Sequence, residues 1–586
     1  MKKLLVFLKD YKKETVLAPL FKMLEAGFEL FVPLVMAAVI DRGIAQADIP
    51  YVLKMGGVLI LLGLIGLACS ITAQYFAAKA AVGFSTKMKH ALFEHIQELS
   101  FSEMDTLGTS TMITRMTSDA NQVQNGVNMV LRLFLRSPFI VFGAMIMAFT
   151  IDAKAALVFA VTIPLLSVVV FGIMMITMPL YKKVQAGLDK VLGKTRENLT
   201  GVRVIRAFHK EEQETAEFEQ SNSALTHMQL FVGKISALTN PVTYIIVNVA
   251  TIVLIYTGAV RVDIGYITQG EVVALVNYMS QILIELVKLA NLIITITKAL
   301  ACANRIQSVF DLQSSMEWAG PGSRNAEGHT DERKADYEGM SGSTSPYVVE
   351  FDHVGLTYRG AGAESLTDID FKVKKGQTVG IIGGTGSGKS SLVHLIPRFY
   401  DVTRGTVRID GKDVKNYGME ELRDKIGMVM QKAVLFQGTI RENLCWGKPE
   451  ATVDEMNRAL EISQAKEFVD AKPRGLDEPI AQGGKNLSGG QRQRLTIARA
   501  VVKQPEILIL DDSASALDYA TDARLRKAIR GMGEKTTVFI VSQRTSSIQY
   551  ADQIIVLEDG HIAGLGTHEE LLRSCEVYKE IHYSQS

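Results

Sequence analysis

The sequence predicts a membrane all-α domain of six transmembrane helices with long cytoplasmic extensions, followed by a soluble α/β domain. Three observations carry this reading. Long apolar stretches with few charges dominate residues 1 to about 305. From about 346 onward the composition is that of a soluble domain, rich in Gly, Val, Ile and Asp. Within that second half, a glycine-rich loop separates an apolar strand from a helix.

The length of 586 residues leaves room for roughly two to four domains. A net charge of +1 provides no global field for a nucleic acid or an acidic substrate. Cys69, Cys302, Cys445 and Cys575 are far apart, without metal-ligand or paired spacing, and read as reduced thiols.

The start, "MKKLLVFLKDYKKE", imitates a signal peptide, but Lys9 and Asp10 interrupt its apolar run. Residues 1–14 read instead as an amphipathic segment on the cytoplasmic membrane face. Six segments then reach the roughly 20 apolar residues that a bilayer crossing needs: 15–40, 52–78, 131–151, 155–178, 240–262 and 270–298. The loops 79–130 and 179–239 are long, polar and helical in pattern, and the second is rich in Lys and Arg. Basic excess marks the cytoplasmic side. Both long loops, the N-terminus and the C-terminal half are therefore expected inside, in a multi-pass protein of a bacterial inner or plasma membrane.

Spans one and six carry unusual polarity. Span one holds Lys22, Glu25 and Glu29, with the two glutamates one turn apart. Span six places Asn277, Gln281, Glu285, Lys288 and Asn291 at helical spacing. Lipid penalises such groups, so they should face one another or a wet cavity. Two readings stand: structural pairs, Lys22 with Glu25 and Glu285 with Lys288, or the wall of a transport cavity. Residues 15–310 make up this membrane domain, and 311–346 are small, polar and charged, as a linker is. Residues 347–586 form the soluble domain.

In "VGIIGGTGSGKSSL", Gly383 and Gly388-Lys389-Ser390 have P-loop spacing, with Gly384, Thr385, Gly386 and Ser387 between them and Ser391 following. Glycines let backbone N–H groups turn inward around phosphates, and Lys389 adds a point charge. The Ser390 hydroxyl suits a Mg²⁺ shell, and the helix N-terminus adds its dipole. ATP or GTP binding follows. The strand "EILIL" closes on Asp511, the expected second metal ligand. Between them, "NLSGGQRQRLTIARA" starts a helix at Leu487, Ser488, Gly489, Gly490 and Gln491. Ser488 as a plain N-cap explains the serine but neither the two glycines nor the basic run.

P-loop, then "MVMQKAVLFQGTIRENL", then "LSGGQ", then a strand ending in Asp resembles the nucleotide-binding domain of ATP-binding cassette (ABC) transporters. With six spans ahead of it on one chain, the whole resembles an exporter half-transporter with an α/β P-loop NTPase domain of ABC type. "HIQELSFSEMDTLGTSTMITRMTSDANQV" and "ENLTGVRVIRAFHKEEQETAEF" resemble the family's two coupling loops. The resemblance implies a dimer whose cassettes sandwich two ATP molecules, with Mg²⁺, each between one chain's P-loop and the other's LSGGQ. Tyr358 then stacks on adenine, Gln431 reaches the metal, and Ser515, Ala516, Leu517 and Asp518 form the D-loop.

Two positions depart from the family's pattern. The residue after the metal-binding Asp is normally Glu, which polarises the attacking water; here it is Asp512. The switch histidine after the next strand is replaced by Gln543 in "TTVFIVSQRTSSI". Upstream, Gln482 stands where Glu is usual. A carboxylate pulled back by one methylene misses the water, and Gln cannot carry a proton. ATP-binding residues are intact while the hydrolytic ones are degraded, so the chain resembles the degenerate-site subunit of a bacterial heterodimeric multidrug ABC exporter. The expected partners are a second half-transporter, the bilayer and a small amphipathic substrate, multidrug or lipid-like. A slow homodimer using Asp512, or an ATP-binding regulatory membrane subunit that transports nothing, are the alternatives.

Overall fold

The structure is a computed structural model that describes residues 3–319, 345–513, 517–532 and 535–585. It divides into two compact units. The first comprises Met1–Gln97 and Thr109–Leu312; the second comprises Glu98–Gly108 and Gln313–Ser586.

Among the described residues of the first unit, six helices are long and apolar enough to cross a membrane: Leu4–Ile44, Ile49–Glu98, Thr109–Ile151, Ala153–Thr200, Glu211–Asp263 and Gln269–Phe310. Each of the six apolar stretches read from the sequence lies within one of them. At 41 to 53 residues and about 1.5 Å per residue, they far exceed the roughly 30 Å of a hydrocarbon layer. Their polar ends are the helical extensions expected from the long loops. The N-terminal Leu4–Tyr11 runs straight into the first span as a 3₁₀ segment. Phe7 packs edge-on against Phe84, and Glu14 pairs with Lys79 at 3.0 Å.

The helices approach closely because their facing residues are small: Ala26, Ala144, Ala148, Ala156, Ala250 and Ala274 are buried. A Cβ on Gly143 would overlap Leu30. Polar residues fix the short turns. Asp152 accepts from the Ala155 N–H at 2.8 Å, capping span four, and pairs with Arg261 of span five. Thr268 caps span six in a reciprocal box with Glu271, and Asp41 of span one accepts from Thr268 at 2.6 Å.

In the second unit the strands are β1 (Tyr347–Leu356), β2 (Leu366–Lys374), β3 (Thr378–Gly383), β4 (Arg404–Ile409), β5 (Lys412–Asp413) and β6 (Ile426–Val429). They continue as β7 (Gly438–Thr439), β8 (Pro479–Ile480), β9 (Ile507–Asp511), β10 (Thr537–Val541), β11 (Gln553–Glu558) and β12 (His561–Gly566). A six-stranded sheet runs β12-β11-β3-β10-β9-β6, parallel except for β12. A four-stranded antiparallel sheet runs β2-β1-β4-β5, and β7 pairs with β8. Strands covered on both faces need continuous apolar runs, which is why "TVGIIG", "ILILD" and "TVFIV" do not alternate.

Part of the first long loop belongs to this unit. The short helix Phe101–Leu107 stacks Phe101 on Phe399 at 4.5 Å, and Asp105 accepts from the Tyr400 hydroxyl at 2.6 Å. Within the segment read as a linker, Met316 is buried and Trp318 lies against the guanidinium of Arg398 at 4.6 Å. Residues 320–344 lie outside the described residues, as do Ser515 and Ala516 of the expected D-loop.

Candidate nucleotide site and intramembrane ion cluster

The nucleotide site forms at the carboxyl ends of the parallel strands, where an open α/β sheet leaves a crevice. After β3 the chain turns through Gly386 and Gly388 at φ 86° and 93°, conformations that a side chain resists. A Cβ on Gly388 would also meet the Ser365 carbonyl at 2.8 Å. Lys389 and Ser390 open the helix Lys389–Leu395. The Lys389 ammonium donates to the Gly383 and Gly384 carbonyls at 2.9 and 2.5 Å. The Ser390 hydroxyl donates to Asp511 Oδ1 at 3.0 Å, joining the loop to the end of β9. Hydroxyl and carboxylate oxygens this close are the hard donors a Mg²⁺ takes, with the Gln431 amide oxygen a third. The donor set fits the ion.

Thr385, Gly386, Lys389, Ser390, Ser391, Gln431, Asp511, Asp512 and Gln543 line one cavity of about 630 Å³. Asp512 is held by its surroundings in a strained backbone conformation. Its φ is 45°, and its N–H donates to the Val541 carbonyl at 3.1 Å. Burial pushes the Asp511 carboxyl up, opposed by the bond from Ser390. Burial also pushes Asp512 up, opposed by a hydrogen bond from Gln431 and the charge of Lys389. The Lys389 ammonium is pushed down by burial. Tyr358 stands beside the helix rather than lining the cavity, donating to the Ser391 hydroxyl at 2.9 Å and meeting Tyr400 edge-on.

The structure keeps the LSGGQ stretch apart from this cavity. Ser488 caps the helix Gly489–Val501, exchanging bonds with Gln491 at 3.2 and 3.0 Å. The N-cap reading of Ser488 therefore holds. The helix end remains exposed, and nothing approaches within 4 Å of a Cβ placed on Gly489. Leu517 is buried, and Asp518 caps the helix Tyr519–Arg530.

Residues 15–286 match the family model of the ABC transporter transmembrane region, and residues 366–515 match that of the ABC transporter itself. An uncharacterized ABC transporter ATP-binding protein of Mycobacterium bovis is 37% identical over 586 residues, covering 99% of this chain and 97% of that one. The chain belongs to the ABC transporters, as an exporter half-transporter. A Bacillus subtilis ATP-binding/permease protein provisionally named for multidrug export is 32% identical, covering 100% of this half-transporter and 99% of that protein. The ATP-dependent lipid A-core flippase of Desulfotalea psychrophila is 32% identical, covering 84% of the half-transporter and 83% of the flippase. A bacterial Atm1-family ABC exporter solved with ATP bound shares the fold, with a TM-score of 0.78 at 22% identity and 98% coverage of both chains.

In the membrane unit the half-transporter joins its intramembrane charges in two groups. Lys22 donates to Glu25 at 2.6 Å and to the Ser70 hydroxyl of span two at 3.0 Å. Arg136, which the sequence reading did not single out, reaches Glu285 of span six and Glu29 of span one, both at 2.7 Å. Glu285 also accepts from Ser137 at 2.7 Å and from Lys288 at 2.8 Å. Glu285 and Arg136 are buried, and the cluster balances two carboxylates against two cations. The structural pairs foreseen in the sequence are thus present. Among the charges singled out in spans one and six, Glu25, Glu29 and Glu285 outnumber Lys22 and Lys288, and that imbalance was the signal that could have drawn Arg136 in.

The cavity candidates separate accordingly. Glu25 and Glu29 border a groove of about 580 Å³ along spans one and two, floored by Gly63 and Gly66. Glu285 and Lys288 are not part of it. Asn277 is exposed, and the buried Oε1 of Gln281 has no hydrogen-bond partner.

Proposed function

We propose that this half-transporter is the degenerate-site subunit of a heterodimeric exporter of amphipathic small molecules, multidrug or lipid-like. The observation that supports it most is the pairing of Asp512 and Gln543 in the same cavity as an intact Lys389, Ser390 and Asp511. The binding residues hold phosphate and Mg²⁺, which neutralises phosphate charge when bound. Asp512 ends one methylene short of the glutamate that the family uses, and a positioned base is worth roughly 10²–10⁴-fold. Gln543 donates a hydrogen bond but carries no charge. ATP stays on this chain's P-loop as a clamp, while the exposed Ser488–Gln491 helix end completes the partner's site, where turnover occurs. The N-terminus and the cassette lie in the cytoplasm, with the Lys- and Arg-rich loops. The multidrug and lipid-flippase names of the two relatives support the substrate class.

The test is ATPase activity of the natively co-purified complex, wild type against Asp512→Ala. Activity within about twofold of wild type supports the assignment. A fall to background makes Asp512 a working base and favours the homodimer.

A further inference from the structure

Asp511 has two oxygens, and the phosphate-loop helix addresses both. Oδ1 accepts from Ser390 at 3.0 Å. Oδ2 faces Nε2 of His394 at 3.7 Å. The two residues are four apart, so one helix face presents the hydroxyl and the imidazole together. That Nε2 is buried and has no hydrogen-bond partner. A buried polar atom without a partner calls for a reason.

The ring is not free to turn away. It packs against Phe399 and Tyr400, with centroids 5.7 and 6.3 Å distant. These are the rings that receive Phe101 and Asp105 of the helix Phe101–Leu107. The present separation exceeds a hydrogen bond by about 0.7 Å, and such contacts tighten when a ligand fills a site. Carboxylates that bind metals are held by outer partners of this kind.

We infer that His394 is a positioning residue for Asp511, donating from Nε2–H to Oδ2 and leaving Oδ1 to the Mg²⁺ side of the site. The imidazole thereby links the metal carboxylate to the aromatic pair on which the Phe101–Leu107 helix rests. The role holds whether or not this site hydrolyses ATP.

A mere packing role would be filled equally well by phenylalanine. The experiment therefore compares His394→Phe, which keeps the ring, with His394→Asn, which keeps a donor. In the full co-purified complex, photolabelling of this chain by 8-azido-ATP is followed across a Mg²⁺ titration. His394→Phe should raise the half-saturating Mg²⁺ about tenfold, a common effect of losing an outer partner, with labelling in EDTA unchanged. His394→Asn should stay within about threefold of wild type. An unchanged Mg²⁺ dependence in His394→Phe, or an equal shift in both variants, would overturn the assignment.

Discussion

The nucleotide site and the intramembrane ion cluster both bring charges together in protected surroundings, yet they are built in opposite ways. The first gathers Lys389 and Ser390 from the start of the helix after β3, and Asp511 from the end of β9, around a cavity of about 630 Å³. Its groups are arranged for something that arrives. In the second, Arg136, Glu29, Glu285 and Lys288 pair with one another across three spans. The comparison teaches that charges in apolar stretches can neutralise one another, whereas those of the crevice face an open cavity.

The sharpest way to break this contrast is to remove one member of the closed cluster. Arg136→Ala takes the guanidinium from buried Glu285, which keeps Lys288 and Ser137, and breaking a buried pair costs up to about 3–5 kcal/mol. The variant should lose heat stability in detergent, measured by the monodisperse fraction surviving a temperature series. Stability equal to wild type would mean that the cluster is open to solvent or substrate after all.

The nucleotide side has a matching test. Gly489→Glu adds a carboxylate to an exposed helix end with open space around it, so the fold should survive. ATPase of the co-purified complex should fall by about 10²–10³, the loss typical of a spoiled anion-stabilising site. Retained activity would show that this LSGGQ completes no working site.

A smaller effect separates local from shared stability. Thr268→Ala removes the cap of span six and its bond to Asp41. About 1 kcal/mol should be lost, visible as a modest shift in the same heat series, well below that of Arg136→Ala.

The smallest effect concerns the groove. Glu25→Gln removes charge beside Gly63 and Gly66 and leaves Lys22 its bond to Ser70. Uptake of a lipophilic cationic dye into inverted vesicles should fall about threefold, the worth of a partly exposed charge pair. Unchanged uptake would take Glu25 out of substrate contact.

The six spans and the P-loop were legible because their signals are local. A run of about 20 apolar residues is already a membrane helix in composition, and Gly383, Gly388, Lys389 and Ser390 declare a phosphate loop by spacing alone. Arg136 was not legible in that way. It lies 107 residues from Glu29 and 149 from Glu285, and no periodicity within span three points to either. His394 was hidden for a similar reason: beside the P-loop it reads as one more residue of an amphipathic turn. Only the sheet order, in which β10 alone separates β3 from β9, puts Asp511 before it.

Sequence by itself determined which segments are long and apolar enough to cross a bilayer, where the glycine-rich loop turns, and that Asp512 and Gln543 follow two apolar strands. Each of these depends on hydrophobicity or backbone conformation over a short window. Tertiary structure alone decided that Glu285 is neutralised by Arg136, that Phe101–Leu107 packs within the second unit, and that LSGGQ stays outside this chain's own cavity. Those outcomes depend on which distant elements become neighbours, and charge pairing acts over a few ångströms regardless of separation along the chain.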